Sequence, residues 1–295
     1  MTDHYLVIQS PTLSAQDVAH IAALTQARDV LSLDACAARL TGLTFAAAHS
    51  ARVRAYCQAA NIDAAYVPAG VSLRDCRLLA MDMDSTLINI ECIDEIADFA
   101  GKKAAVAALT AAAMSGSPGG NPGGKPSDFS DSLRRRVALL RGVPADALAR
   151  VYDERLQLNP GAEKLISHAQ AAGLAVMLVS GGFTWFTERL RARLKLDRAY
   201  ANTLEIADEH LTGEVIPPIL DAQAKARLLQ AYAAELGAAP GQIIAIGDGA
   251  NDLPMLAHAG YAVAYHAKPV VQHAARYTVN ACGLDAVLHW FEDAR

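Results

Sequence analysis

Apolar and polar positions along the chain change their period several times, and each change predicts an element. Near the start, Leu6-Val7-Ile8 predicts a strand. Ser14 to about Ala27 predicts a helix, with Ser14 and Asp17 patterned as a capping pair and Val18, Ile21, Ala22 and Leu24 forming an approximate stripe. A second helix from about Phe45 to Ala60 and a strand at Ala64-Ala65-Tyr66-Val67 complete a small α/β unit, and Pro68-Ala69-Gly70 marks its boundary. The apolar run Leu78-Leu79-Ala80-Met81 then predicts a strand that delivers Asp82 and Asp84 to its C-terminal mouth, and alternation along it would set both carboxylates on one side.

Helical spacing follows. Ile90, Ile93, Ile96, Ala97 and Ala100 share a face that ends at Gly101, and Lys103 to Met114 is nearly all Ala, Val and Leu. The segment 115–128, with Pro-Gly-Gly twice, reads as a loop. A helix from about Phe129 to Arg141 carries Leu133, Val137 and Leu140 at i, i+4 and i+7, and Pro144 opens another to about Leu156. Arg134-Arg135-Arg136 is either a solvated face or, at Arg136 beside the apolar stripe, a ligand for an anion, because an inward arginine needs an anionic partner.

From Asn159 short β-rich runs alternate with helices, as in a parallel sheet. Ala175 to Val179 ends in Ser180-Gly181-Gly182 with a helix from near Phe183. Residues 205–215 pattern as a hairpin turning near Asp208, and a helix beginning near Asp221 holds Lys225. Ile243 to Ile246 ends in Gly247-Asp248-Gly249-Ala250-Asn251-Asp252, and Tyr261 to Tyr265 and Tyr277 to Val279 are the last expected strands. The fold expected is α/β: a doubly wound, Rossmann-like parallel sheet (75–87 and 159–295), an inserted helical block (88–158) and a small N-terminal α/β domain (1–74).

A formal charge of -5 over 295 residues argues against nucleic acid or an anionic membrane as partner. The five cysteines form no C-x-x-C pair and read as core residues of a reducing compartment. The N-terminus has no basic region, and no apolar run reaches the roughly 18 residues of a membrane span, so a cytoplasmic protein is expected.

Three expected strands thus end in polar groups. Carboxylates from two of them suit a hard cation such as Mg2+, Ser180 with Gly181 and the amides at the following helix N-terminus suits an anion, and Lys225 could complete the charge balance. Alone, D-x-D-S-T fits an Asx-turn equally well.

In order, these motifs resemble the haloacid dehalogenase superfamily over roughly residues 75 to 290. Asp82-Met83-Asp84-Ser85-Thr86 matches its first motif, Ser180 its second, Lys225 its third and Gly247 to Asp252 its fourth. The segments from Glu91 to Ile96 and Ser132 to Val137, Ser180 to Phe183, and Ala267-Lys268-Pro269 are similar to its phosphoserine phosphatase branch. The resemblance implies Mg2+-dependent hydrolysis of O-phospho-L-serine, the last step of serine synthesis, with Asp82 as nucleophile and Asp84 as acid and base. It implies a metal site of Asp82, the Asp84 backbone carbonyl and Asp248, with Asp252 orienting that shell, and phosphate contacts from Ser180, Lys225 and Asn251. The inserted helices would be a cap in which Glu91 meets the substrate ammonium, Arg136 its carboxylate, and Met114 and Phe129 wall the pocket. The chain departs from the pattern in its longer segment 115–128, at Ser130 and at Pro217-Pro218.

Two alternatives stand beside this: a phosphatase or phosphotransferase for another small phosphomonoester, and a non-catalytic amino-acid sensor acting through the N-terminal domain, which resembles the ACT type in position. A homodimer is an open option.

Overall fold

In the computed structural model, which describes residues 4–44, 47–114 and 129–293 (backbone only at 47–49 and 112–114), the chain opens with a four-stranded unit. Its elements are β1 (His4–Gln9), α1 (Ala15–Thr25), β2 (Asp29–Ser32), β3 (Ala37–Thr41), α2 (Ala47–Ala59) and β4 (Asp63–Pro68). The order is β2-β3-β1-β4, antiparallel throughout. Ser14 and Asp17 cap α1 reciprocally, each side chain accepting the other's backbone N–H. Alternation divides this sheet between two cores. Leu6, Ile8, Ala38 and Leu40 pack with Ile21 and Val53 of the helices, whereas Val7, Ala65 and Val67 join the main core.

The pattern along the chain does not announce β2 or β3. All four residues of β2 are exposed and β3 is buried at four of its five positions, so neither alternates, and pairing with neighbours makes them strands. Phe45 and Ala46, at the expected start of the second helix, lie outside the described residues.

A seven-stranded sheet follows. Its elements in order are β5 (Leu78–Met81), α3 (Cys92–Asp98), α4 (Lys103–Met114), α5 (Phe129–Ala138), α6 (Asp146–Glu154), α7 (Ala162–Ala171), β6 (Ala175–Phe183), α8 (Thr184–Leu194), β7 (Arg198–Ala207), β8 (His210–Ile216), α9 (Ala222–Glu235), β9 (Ile243–Gly247), α10 (Leu253–Leu256), β10 (Tyr261–Tyr265), α11 (Pro269–Ala274) and β11 (Tyr277–Val279). The order is β11-β10-β9-β5-β6-β7-β8. Six strands run parallel, and β8 folds back on β7 through Asp208 and Glu209, both at positive φ.

Both faces of this sheet are covered. Leu79, Met81, Val176, Leu178, Ile244 and Ile246 face one core, while Leu78, Ala80, Met177, Val179, Ile243 and Ala245 face the other. The chain winds to one side of β5 through β6 and β7 and to the other through β9, β10 and β11. The C-terminal ends of β5 and β9 therefore flank the crevice where the winding reverses.

Helices α3 to α6 lie between β5 and β6 in sequence. Helix α5 stops at Ala138, three residues before the expected Arg141, and turns back toward Gly142, whose N–H reaches Leu211 O of β8. On α5, Leu133, Arg136 and Val137 are buried while Arg134 and Arg135 face solvent. The expected Pro/Gly-rich loop 115–128 lies outside the described residues. Cys57, Cys76 and Cys92 are buried free thiols, and Cys36 and Cys282 are partly buried. Among the described residues no helix is long and apolar enough to cross a membrane.

Candidate active site

Strand β5 ends one residue short of its first aspartate. Asp82 still donates its N–H to Ile246 O of β9 (3.0 Å), and the chain then makes one wide turn closed by Ile88 N–H to Met83 O (3.0 Å). Ser85 sits in that turn at φ 57°. Strand alternation is thus not what aligns Asp82 and Asp84, as expected from the sequence; the turn carries Asp84 into the same pocket. Strand β6 also departs from expectation. It runs on to Phe183 with a register shift after Val179, so the amides beside Ser180 belong to a bulged strand end and not to a helix N-terminus. Ser180 Oγ accepts the Gly182 N–H at 2.9 Å.

The polar contacts form one connected set. Asp82 Oδ1 accepts from Met83 N–H (2.7 Å) and Lys225 Nζ (2.9 Å), and Lys225 Nζ also donates to Asp252 Oδ1 (2.7 Å). Asp252 Oδ2 accepts the N–H groups of Asp248 (3.2 Å) and Gly249 (3.1 Å), which fixes the turn after β9. Thr86 Oγ1 donates to Asp248 Oδ1 (3.1 Å), tying the two strand ends together. Asp84 Oδ1 accepts Cys92 N–H (3.0 Å) at the start of α3, and Glu91 Oε1 accepts from Ser85 Oγ (2.6 Å). Two glycines make room for these carboxylates. A Cβ at Gly182 would collide with Asp84 Oδ2, and one at Gly247 would lie 2.5 Å from Asp252 Cγ.

Negative charge is in excess here. Asp82, Asp84, Asp248 and Asp252 are buried, and Glu91 is nearly so; the buried cations beside them are Lys225 and Arg136. Burial, then Asp252, holds the Asp82 carboxyl well above the ordinary range. Burial, then Asp84, does the same for Glu91, and burial also raises Asp84. Asp248 is pushed up to about 7, by burial first and Asp252 second. Burial pulls Lys225 down, but Asp252 and Asp82 outweigh it and hold the ammonium charged. Asp82, Asp248 and Asp252 bring carboxylate oxygens within 4.8 Å of one another. An oxygen-only set with this uncompensated charge fits a metal ion of hard character.

The pocket is lined by Asp82, Asp84, Glu91, Phe129, Arg136, Ser180, Gly181 and Asn251, all singled out from the sequence, and by Ile93, Leu133, Gly182 and Phe183. The last four lie inside segments that carry the family resemblance, but no site role is expected of them from the sequence. Lys225, Asp248 and Asp252 join the pocket through Asp82. Met114 ends α4, and its side chain lies outside the described residues. Among the described residues the Asp84 carboxylate is not part of that cluster.

A model of haloacid dehalogenase-like hydrolases matches residues 79–257, which contain every one of these side chains. The chain belongs to the haloacid dehalogenase-like hydrolase family. Residues 6–52 match a second model, described only as a domain of unknown function. A phosphoserine phosphatase of Polaromonas sp. is 51% identical over 222 residues, covering 74% of this chain and 91% of its own. Among solved structures, a family hydrolase from Salmonella enterica serovar Typhi superposes with a TM-score of 0.85 at 32% identity, over 99% of both chains. A probable phosphoserine phosphatase from Vibrio cholerae gives 0.79 at 35% identity, over 98% of this chain and 86% of that one.

Proposed function

We propose that this family member is a Mg2+-dependent phosphatase that hydrolyses O-phospho-L-serine to L-serine and phosphate in the cytoplasm, as the last step of serine synthesis. One observation carries the reading: a single pocket holds the carboxylate pair Asp82 and Asp84 together with a half-buried Glu91 and a buried Arg136. A phosphomonoester bearing both an ammonium and a carboxylate matches all four groups. Binding through both charges disfavours phosphates that lack either. The Polaromonas and Vibrio cholerae proteins carry the corresponding names, which supports the same substrate.

In this reading Asp82 attacks phosphorus in line and forms an aspartyl-phosphate. Its Oδ1 is held by Met83 N–H and Lys225, which orients Oδ2 for attack. The approach of a carboxylate to a phosphate oxygen costs about 4 kcal/mol per pair of unit charges at 4 Å and an effective dielectric near 20. Lys225 and the Ser180–Gly181 region offset that repulsion, and Asn251 contacts the phosphate. Asp84, whose carboxyl burial raises, gives a proton to the departing serine oxygen, and the carboxylate then takes a proton from the hydrolytic water. Asp82, Asp248 and the Asp84 carbonyl would hold Mg2+, with Asp252 fixing the Asp248 backbone. Bound there, the ion would draw charge from the phosphoryl oxygens.

The chain divides in this reading into a small N-terminal domain (1–74), a catalytic core (75–87 and 159–295) and a helical cap (88–158). The cap supplies Glu91, Met114, Phe129 and Arg136 to the substrate. The test is phosphate release from a panel of small phosphomonoesters with and without Mg2+. Phosphoserine should lead the panel, and Asp82→Asn should lower turnover by about 10⁴-fold or more. Full activity in that variant, or a flat panel, would remove the proposal.

A further inference from the structure

Arg136 reaches the pocket with two of its five guanidinium donors already engaged. Its Nε donates to Ser132 O of its own helix (3.4 Å) and its Nη1 to Thr110 Oγ1 of α4 (3.4 Å). Thr110 has one proton to give, and its Oγ1 lies 2.8 Å from Asp94 Oδ1 on α3 and 3.1 Å from Val106 O. Because a guanidinium N–H arrives at that oxygen as a donor, the hydroxyl proton turns to the closer, charged acceptor. A chain of donors therefore runs from Arg136 through Thr110 to Asp94 and links α5, α4 and α3.

The surroundings make this chain specific. Thr110 is 3% exposed and Arg136 7%, so water is a poor substitute for either contact. Between Lys103 and Met114 every residue except Thr110 is Ala, Val or Leu, and a β-branched hydroxyl residue inside a helix needs a partner to offset its low propensity. Arg136 lines the pocket while Thr110 and Asp94 do not. Those two contacts leave the Nη2 donors and one Nη1 donor for a planar, bidentate acceptor.

We infer that Thr110, braced by Asp94, is a positioning residue for Arg136 and thereby sets the preference for substrates with a carboxylate beside the phosphate. The inference rests on the phosphoserine reading above. Its test compares kcat and KM of the full-length protein, its Thr110→Val, Thr110→Ser and Asp94→Asn variants, on O-phospho-L-serine and on O-phosphoethanolamine, which lacks the carboxylate. Thr110→Val should raise KM for phosphoserine about tenfold with kcat near that of the parent, and lower the preference over phosphoethanolamine by the same factor. Thr110→Ser should restore that preference, and Asp94→Asn should lower it in the same direction by less. Equal losses on both substrates, or an unchanged preference in a folded Thr110→Val, overturn the inference. Should Thr110→Val not fold, an unchanged preference in Asp94→Asn overturns it. Failure of the unsubstituted protein to turn over phosphoserine overturns the substrate reading instead, and the inference with it.

Discussion

The molecule buries charge in two places and treats it differently. At the mouth of β5 and β9, Asp82, Asp84, Asp248 and Asp252 lie buried around Lys225, with too little positive charge to balance them. At the seam between the four-stranded sheet and the C-terminal segment, Asp63 and Arg39 are held by backbone partners. Asp63 of β4 accepts from three successive backbone amides, those of Asn280, Ala281 and Cys282, at 2.7 to 3.1 Å. Arg39 of β3 donates through Nη2 to the carbonyls of His289 (2.9 Å) and Phe291 (3.1 Å), and His289 bridges Gln9 and Asp34. Satisfied charges fix a geometry. A cluster with uncompensated negative charge retains affinity for a cation, the condition expected of a working site.

Removing Lys225 should break the contrast most severely. Lys225→Met leaves two buried aspartates without their cation and should cost about 3–5 kcal/mol of stability, together with most of the activity. A chemical-denaturation curve that matches the parent would mean that the site is less strained than its geometry shows. Next in size, Mg2+ at about 100 times its Kd should stabilise the protein by about 2.7 kcal/mol, and Asp248→Asn should weaken that response in a melting experiment. The seam has no such cluster and should not respond.

Asp63→Asn should cost about 1–3 kcal/mol, because an amide cannot accept from all the N–H groups the carboxylate serves, while phosphatase activity persists. Loss of activity in a folded Asp63→Asn would erase the distinction between the two regions. The smallest effect concerns pH. Burial, against Asp34, holds His289 below its ordinary 6.5, so the unfolded chain takes up the proton first. The contribution of this ring is complete above pH 6.5 and declines as pH falls through and below that value. His289→Gln should flatten that limb of the stability profile.

Much of the site was legible because its groups fall at strand and helix ends, where a change of period exposes them: Asp82 and Asp84 after an apolar run, Asp248 after another, Lys225 behind its Asp221 cap. Arg136 was legible as an alternative, by its place beside an apolar stripe. Strands β2 and β3 were not, because their pairing with β1 is invisible to local pattern. The bulge at Ser180 was hidden too, since it exists only in register with β7. Thr110 gave one local signal, a hydroxyl inside an apolar helix, but its partners lie 16 and 26 residues away.

By itself, then, the sequence determined the α/β alternation, the order of the motifs and the residues able to do chemistry, because those are set by period, composition and spacing. Tertiary structure alone decided which oxygens share Lys225, how a wide turn brings Asp84 beside Asp82, and which partner holds Arg136. Those outcomes depend on distances between segments far apart in the chain, and only packing the sheet and its helices together fixes them.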